Sequence, residues 1–324
     1  MSFRPQHRGS PFSAVGGRLD LQKAWIRSQA VIERLQRTLL STPLPQPPAC
    51  VAISGSLSRM EYHAASDLDL LIVLDDRAAA VSDKAADELF SEAWRRIGAE
   101  GLGATRPKPD GVFAQCVSWK ALTNPAVRGV VNEDVTTYGH RMQLLMDAQP
   151  VLNDHVFEEL QTELLNWYVE TRVSQLFKEA GPFGWLRQDV QRYWRSIWSR
   201  AYWLHEKNPE KSLKVNVKLR SSRAVIVAAF LHAVDVAQKT GGDTPEVVAT
   251  LQKQLNRTPL ERLTSELSPV ETSKLVANYQ AVWYFVSNRD RTDNKLTPEI
   301  RCALTRLAEC LPSTVTDLTT EIRH

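Results

Sequence analysis

The chain has 324 residues, of which 43% are hydrophobic and 24% charged, and its formal net charge is +3. This length suits one large or two ordinary folded domains. The mild charge excludes a protein coated with basic residues for nucleic acid, so any basic site must be local. Four cysteines without paired spacing predict reduced, buried thiols rather than a disulfide framework or a zinc site: Cys50, Cys116, Cys302 and Cys310.

Membrane insertion is not expected, because no apolar run reaches the roughly 20 residues that a spanning helix needs. The N-terminal stretch MSFRPQHRGSPFSAVGGR also lacks the apolar core of a secretory signal. We therefore expect a cytoplasmic protein that does not contact a membrane.

The first half of the chain alternates strand and helix patterns. Residues 1–17 are polar and rich in Gly, Ser and Pro, which predicts a flexible segment. Helical spacing in RLDLQKAWIRSQAVIERLQRTLLS is followed by the proline-rich connector TPLPQPPA. CVAIS and DLDLLIVL predict two buried strands. SDKAADELFSEAWRRIGAEG predicts a helix that begins at a Ser82 cap and ends at Gly98, and DGVFAQCVS predicts a third strand.

From about Asn132 onward the sequence has almost no strand signal and predicts helices. Helical patterns include WLRQDVQRYWRSIWSRAYWLHEK and VNVKLRSSRAVIVAAFLHAVDVAQK. SPVETSKLVANYQAVWYFV opens with a capping box and a first-turn proline, and TPEIRCALTRLAECL repeats the Thr-Pro start. No fixed-period repeat is present, so we expect a helical bundle rather than a solenoid.

The stretch GSLSRMEYHAASDLDLLIVL carries the clearest chemical signal. Strand residues two apart point the same way, so Asp67 and Asp69 are predicted to share one face. Two close carboxylates suit a hard divalent cation such as Mg²⁺. Glycine in Gly55-Ser56 would let the backbone approach a phosphate, and a helix opening there would present its amides to an anion. The alternative is that both aspartates are ordinary turn residues at a strand edge.

These motifs resemble the DNA polymerase beta-like nucleotidyltransferase superfamily, and most closely the signal-protein uridylyltransferases and their relatives. The relatives carry an Arg-x-Glu in the spacer, matched here by Arg59 and Glu61, and a serine before the first aspartate, matched by Ser66. PDGVFAQCVSWK and EDVTTYGHRMQLLMDAQPVLND also resemble segments of related proteins. The likeness covers roughly residues 50–155, with a vaguer similarity in DVQRYWR and KVNVKLRSSR.

The resemblance implies an α+β fold: a nucleotidyltransferase core with a small mixed β-sheet flanked by helices, then an all-α helical bundle. The corresponding domains are a flexible 1–17, a catalytic 18–150 and a helical 151–324. Gly55 and Ser56 would hold the triphosphate, with Ser66 among the nucleotide contacts. Asp67 and Asp69 would bind Mg²⁺ or Mn²⁺ in a two-metal mechanism.

Two assignments stay open. The family adds a third carboxylate, for which Asp110 is the nearest candidate and Glu133 and Asp134 are alternatives. Asp110 is equally compatible with an ordinary turn residue in Pro-Asp-Gly. Arg59 could contact a phosphate, or it could form a structural bridge with Glu61 or Asp67.

The helical half adds basic and aromatic residues near WRSIWSRAYW. Trp194, Trp198 and Tyr202 recur at helical spacing, which usually packs a core and makes an RNA stacking platform the less favoured reading. Nearby cations could form a wall that grips the triphosphate tail or an RNA backbone, or could simply form a solvated surface with Asp189 and Glu206 as local partners. The wall comprises Arg192, Arg195, Lys214, Lys218, Arg220 and Arg223, of which we assign Arg192, Lys218 and Arg223 to the nucleotide.

The predicted activity is transfer of a nucleoside monophosphate from a nucleoside triphosphate to a protein or RNA acceptor, including a tRNA end, with release of pyrophosphate. The alternative is a nucleotide-sensing regulatory protein of the same fold that has lost catalysis. Base preference and oligomeric state are open at this point.

Overall fold

The computed structural model describes residues 4–12, 20–64, 66–102, 106–107, 111–169, 181–207, 209–288 and 296–312. The predicted acid Asp110 lies outside these ranges. The chain divides into two compact units, Met1–Gly9 with Ala24–Leu176 and Ser10–Lys23 with Phe177–His324. The domain boundary at residue 150 stays a prediction.

Helices and strands alternate through the first part of the chain. In chain order they are α1 Asp20–Leu40, β1 Pro48–Ser54, α2 Gly55–Ser58, β2 Asp69–Leu74, α3 Asp83–Ala99, β3 Val117–Ser118, α4 Trp119–Thr123, α5 Val135–Met146, β4 Gln149–Leu152 and α6 Asp154–Val169. Short 3₁₀ turns occupy Pro5–His7 and Pro125–Val127.

Four strands form one mixed sheet in the order β3-β2-β1-β4. β1 pairs antiparallel with both β2 and β4, whereas β2 and β3 run parallel. Every residue of β1 from Ala49 to Ser54 and of β2 from Leu70 to Leu74 is buried, which explains the continuous apolar runs of both strands. The predicted α+β fold with a small mixed sheet and a following helical region is confirmed.

The sheet differs from the prediction at both edges. β3 contains only Val117 and Ser118, although DGVFAQCVS predicted a longer strand. β4 was not predicted, because its four residues are too short to show an alternating pattern and one of them is Pro150. Proline has no N–H to donate, and it fits here because β4 is an edge strand.

The N-terminal segment covers the β4 edge. Arg4 is 2% exposed and its Nη2 donates to Glu158 Oε1 over 2.9 Å, while Gln6 Nε2 donates to the Pro150 carbonyl oxygen over 3.1 Å. These contacts cover a strand edge that would otherwise present backbone groups to solvent. The prediction of a flexible segment over 1–17 did not anticipate this anchored stretch.

The start of α3 agrees with the prediction from its capping residue, whereas its end does not. Ser82 Oγ accepts a hydrogen bond from Ala85 N over 3.3 Å, which confirms the predicted cap. The helix continues past Gly98 to Ala99, and the left-handed residue that follows it is Gly101, with φ +63°.

The described residues of the second unit form helices joined by turns and short loops. Its helices are α7 Gly184–Lys207, α8 Pro209–Lys218, α9 Ala224–Lys239, α10 Thr244–Leu255, α11 Pro259–Thr264, α12 Pro269–Asn288 and α13 Pro298–Cys310, with a π-helical segment Leu219–Arg223 between α8 and α9. The predicted capping box at α12 forms, because Ser268 N donates to Glu271 Oε2 and Glu271 N donates to Ser268 Oγ. Among the described residues, no helix combines the length and apolar character that a membrane crossing requires.

The cysteines are free thiols that differ in exposure. Cys50 is buried in β1, and burial raises the pKa of its thiol to about 12. Burial has the same effect on the half-buried Cys116, again to about 12. The prediction of four buried thiols is wrong for Cys302, which is exposed on α13.

Candidate active site at the Gly55 turn

The chain turns sharply where β1 ends and the short helix α2 begins. Gly55 adopts φ +73°, a left-handed conformation that favours glycine. A β-carbon added to Gly55 would lie 2.5 Å from Asp69 Oδ2, so a side chain has no room here. Ser54 Oγ donates to Gln143 Oε1 over 2.6 Å and ties the turn to α5.

Asp69 reaches this turn because of strand register. It is the first residue of β2, and its Cα lies opposite Ser54, the last residue of β1. The close approach of Oδ2 to Gly55 shows that the carboxylate lies against the turn. The structure thus brings together two of the predicted site residues, Gly55 and Asp69.

Asp67 lies in the loop just before β2 and is exposed, while Leu68 after it is buried. Ser66 and His63 close a tight turn ahead of it, since Ser66 N donates to the His63 carbonyl oxygen and His63 N donates to Ser66 Oγ. Burial raises the pKa of Tyr62, and the negative charge of Asp67 raises it further against an opposing effect from Arg27. Asp67 therefore lies within electrostatic range of the buried Tyr62 phenol.

Arg59 forms ion pairs with two acidic side chains. Its Nε donates to Glu61 Oε2 over 3.0 Å and its Nη1 donates to Asp147 Oδ2 over 2.7 Å. The Arg59 side chain is 10% exposed, and those of Glu61 and Asp147 are each 6% exposed. The bridge to Glu61 is one of the two alternatives that the sequence left open. The assignment of Arg59 to a phosphate stays a prediction.

Asp147 is the residue at this site that sequence reasoning missed. Its Oδ2 accepts hydrogen bonds from Gly55 N over 3.2 Å and from Arg59 Nη1. Ser58 Oγ lies 2.8 Å from both the Gly55 and the Asp147 carbonyl oxygens. Asp147 thus joins the two ends of the turn, residues 55 and 59. The available signal was a single charged residue within the mostly apolar run LLMDAQPVL.

The alternatives for a third carboxylate have other contacts. Glu133 Oε1 lies 2.7 Å from Nη2 of the fully buried Arg141. Asp134 caps α5 by accepting from Thr137 N over 2.7 Å. Burial alone would raise the pKa of Asp134, but the hydrogen bonds from Thr137 hold it below its usual value. Both acids therefore have structural roles, and Asp110 as the third carboxylate stays a prediction.

The other predicted nucleotide contacts belong to the second unit. Arg192 is exposed on α7 and lies 3.5 Å from Asp189, one of the local partners that the sequence suggested. Lys218 ends α8, and Arg223 ends the π-helical segment; both are half-buried. Their assignment to the nucleotide stays a prediction.

The two predicted carboxylates suit a hard cation of limited protein coordination. Within the described part of the chain, no group of three or more His, Cys, Asp or Glu side chains is arranged to hold a metal ion. Asp67 and Asp69 supply two carboxylates, and Mg²⁺ is commonly held by one or two carboxylates together with waters and substrate phosphates. The cradle at Gly55 leaves the Asp69 carboxylate beside a backbone that carries no side chain, so these residues fit such a group.

Residues 23–121 match the family model described as "Putative nucleotidyltransferase DUF294". This part of the chain is nucleotidyltransferase-like. The matched range includes Gly55, Asp67 and Asp69 but ends before Asp147. The finer likeness to signal-protein uridylyltransferases stays a prediction, and neither the curated proteins nor the solved structures contain a match to this chain.

Proposed function

We propose that this protein transfers a nucleoside monophosphate from a nucleoside triphosphate to a hydroxyl of a protein or RNA acceptor, with release of pyrophosphate. The observation that carries the proposal is the Asp69 carboxylate against the Gly55 turn. The match of residues 23–121 to a nucleotidyltransferase family model supports the same activity.

Asp67 and Asp69 would hold Mg²⁺ or Mn²⁺. The chemistry that the ions supply when bound is neutralisation of the triphosphate charge and activation of the acceptor oxygen. Gly55 would let the backbone approach the triphosphate, since glycine carries no side chain, and the Asp69 carboxylate lies beside it. Ser56 follows it at the start of α2 and would offer its hydroxyl and amide to the phosphates.

Asp147 and Arg59 act as positioning residues in this proposal. The Gly55 N–H and Arg59 Nη1 both donate hydrogen bonds to the Asp147 carboxylate. Asp147 and Arg59 would thereby keep Gly55 in its left-handed conformation. Ser66 has an equivalent role in the loop before Asp67, where it closes the turn with His63. Deprotonation of the acceptor is left to Asp110, as the resemblance suggests.

The test is transfer from each of the four α-labelled nucleoside triphosphates, with Mg²⁺, to total cellular RNA and to total cellular protein. We expect label on one of the two acceptors and stoichiometric release of pyrophosphate. Asp69→Asn and Asp67→Asn should each lower the rate by about 100-fold or more, the range seen when an electrostatic contact to the reacting group is lost. Asp87→Asn, at an exposed position on α3, is the matched control and should transfer normally.

Metal binding provides a second readout that does not depend on turnover. Mn²⁺ titrations followed by electron paramagnetic resonance, with a non-hydrolysable triphosphate present, should show weaker binding in Asp69→Asn than in Asp87→Asn. Transfer by Asp69→Asn at the wild-type rate would reject the proposed site. Tight triphosphate binding without transfer to either acceptor would reject the enzyme in favour of a nucleotide sensor.

A further inference from the structure

Residues 184–223 carry a concentrated positive charge. They contain ten Lys or Arg and three Asp or Glu, which gives this segment a formal charge of +7. The whole chain carries only +3, so the remaining residues together carry −4. A local excess of this size raises the concentration of polyanions near the surface.

The excess is displayed at the surface of α7. Arg192, Arg195 and Arg200 are exposed, while the acid Asp189 on the same helix is 5% exposed and lies beside Arg192. Glu206 is the exposed acid among the described side chains of residues 184–223. The charge on this helix is therefore mostly cationic where solvent can reach it.

Two large aromatic side chains stand among these cations. Tyr202 is 68% and Trp203 is 63% exposed. Sequence reasoning placed Tyr202 with Trp194 on a core-packing stripe, and only Trp194 is fully buried. Burial of both exposed rings against a partner would remove a large apolar area from water, and Tyr and Trp are enriched at interfaces.

Helical geometry places each ring in line with an arginine. Trp203 lies three residues after Arg200, a spacing that makes the two side chains neighbours on the helix surface. Tyr202 lies seven residues after Arg195, about two turns further along the same stripe. Successive residues are about 100° apart around a helix, so the two pairs lie on adjacent sides of α7, and a chain that crosses the helix would meet an arginine and a ring on each side.

The cationic surface continues onto the next elements. α8 packs against α7 and presents the exposed Lys214, and the π-helical segment after it presents the exposed Arg220. π-helical turns inside α-helices are frequently found at functional sites. The α7 face is defined here by Arg195, Arg200, Tyr202 and Trp203.

We propose that the α7 face binds single-stranded RNA. Guanidinium groups contact phosphates, and unpaired bases stack on exposed aromatic rings, a combination that double-stranded RNA does not allow. Tyr, Trp and Arg also occur at protein interfaces, but a face with this charge would require a strongly acidic protein. The further statement that the bound RNA is the acceptor rests on the proposed function; RNA binding itself does not.

The test measures binding of a fluorescein-labelled 20-nucleotide single-stranded RNA to the full chain by fluorescence anisotropy, at several KCl concentrations. Trp203→Ala and Tyr202→Ala should each weaken binding by about 5-fold to 150-fold, the range for losing one base–aromatic stack. Arg195→Ala and Arg200→Ala should each reduce the slope of log affinity against log salt by about 0.7.

Controls come from other exposed residues of the same unit. Tyr284→Ala on α12, where the ring is 42% exposed, and Arg301→Ala on α13 should leave the affinity unchanged. Since all substituted side chains are exposed, circular dichroism should show the same fold in every variant. Equal affinities of Trp203→Ala, Tyr202→Ala and the wild type would overturn the proposal.

Two competing outcomes are resolved by the same experiment. If polyglutamate displaces the labelled RNA as strongly as unlabelled RNA does, the α7 face is a simple polyanion-binding surface without base stacking. Concentration-dependent self-association that is abolished by Trp203→Ala, with no change in RNA affinity, would assign the face to a second copy of the chain. Either result overturns the proposal.

Failure of the proposed function can be distinguished from failure of RNA binding. Asp69→Asn should bind the RNA as the wild type does, while its rate of label transfer should fall by about 100-fold or more. RNA binding by the wild type without transfer to RNA would remove the acceptor role and leave the α7 face standing. With RNA as acceptor, Trp203→Ala should raise KM for RNA and leave KM for the triphosphate unchanged.

Discussion

The Gly55 turn and the α7 face use charged residues in opposite ways. At the turn, Arg59 is almost completely buried between Glu61 and Asp147, so its charge is balanced within the protein. On α7, Arg195 and Arg200 are exposed beside two exposed rings. Charges of the first kind stabilise a particular backbone conformation, whereas charges of the second kind are exposed to solvent and contribute little to folding.

The largest expected effect on stability tests this contrast directly. Asp147→Ala removes the acceptor of the Gly55 amide and one of the two partners of the buried Arg59. We expect the free energy of unfolding to fall by about 3 kcal/mol, the low end of the range for breaking a buried ion pair, because Glu61 remains beside Arg59. Urea denaturation measures the change.

The matched variant on the exposed surface is Arg200→Ala, which should change the free energy of unfolding by no more than about 0.5 kcal/mol. If Asp147→Ala were equally mild, the turn would not depend on its buried acid, and the contrast between the two regions would disappear.

A smaller effect is expected from substitutions of glycine. Gly55 and Gly129 have nearly the same backbone conformation, with φ +73° and +71°, but an added β-carbon meets Asp69 at Gly55 and nothing within 4 Å at Gly129. Both alanine variants should lose about 1–2 kcal/mol to the left-handed backbone. Gly55→Ala should lose about a further 1 kcal/mol, the low end of the cost of overpacking, because the atom it meets is the end of a side chain, and it should also lower the transfer rate.

The difference between the two glycine variants isolates the contact with Asp69. Equal stability of Gly55→Ala and Gly129→Ala, measured by thermal unfolding, would mean that the carboxylate can move away from the turn at little cost.

The smallest effect concerns pH. Burial lowers the pKa of His140, and neither its hydrogen bond to the Val112 carbonyl oxygen nor the charge of Asp134 fully offsets this. The unfolded chain, with a histidine pKa near 6.5, then binds more protons than the folded chain as the pH falls below that value. Stability should therefore decrease on acidification, by up to about 1.4 kcal/mol per pH unit for this group.

Comparison with His140→Gln separates this residue from other titrating groups. The wild type should lose more stability than the variant between pH 7.5 and 5.5, measured by urea denaturation. Parallel pH profiles would show that His140 is not the buried titrating group we infer.

Local signals in the sequence account for much of the fold. Helices begin after the capping residues Ser82 and Ser268, as predicted. In each case the serine oxygen accepts a hydrogen bond from the backbone amide three residues later, and a contact this local can be recognised from the sequence. The two central strands were predicted from apolar runs, since strands buried on both faces need little else. Gly98 was misjudged as a helix end because Gly101 lies only three residues later and takes the left-handed conformation instead.

Contacts between distant parts of the chain were not predictable in the same way. β4 is recognised as a strand through its pairing with β1, and its four residues carry no periodicity of their own. The exposure of Tyr202 was also missed, because a helical stripe of aromatics does not reveal how far along the helix a packing partner extends.

The amino-acid sequence determined by itself which chemical groups this protein has and which short segments form helices and strands, since both depend on neighbouring residues. It also indicated Gly55, Asp67 and Asp69 as the candidate site, because their spacing is a local pattern. Only the tertiary structure placed Asp147 against Gly55 and Arg59. Asp147 is separated in the sequence from Gly55 by 92 positions and from Arg59 by 88 positions. Contacts over such separations depend on strand order and register, which no local preference sets.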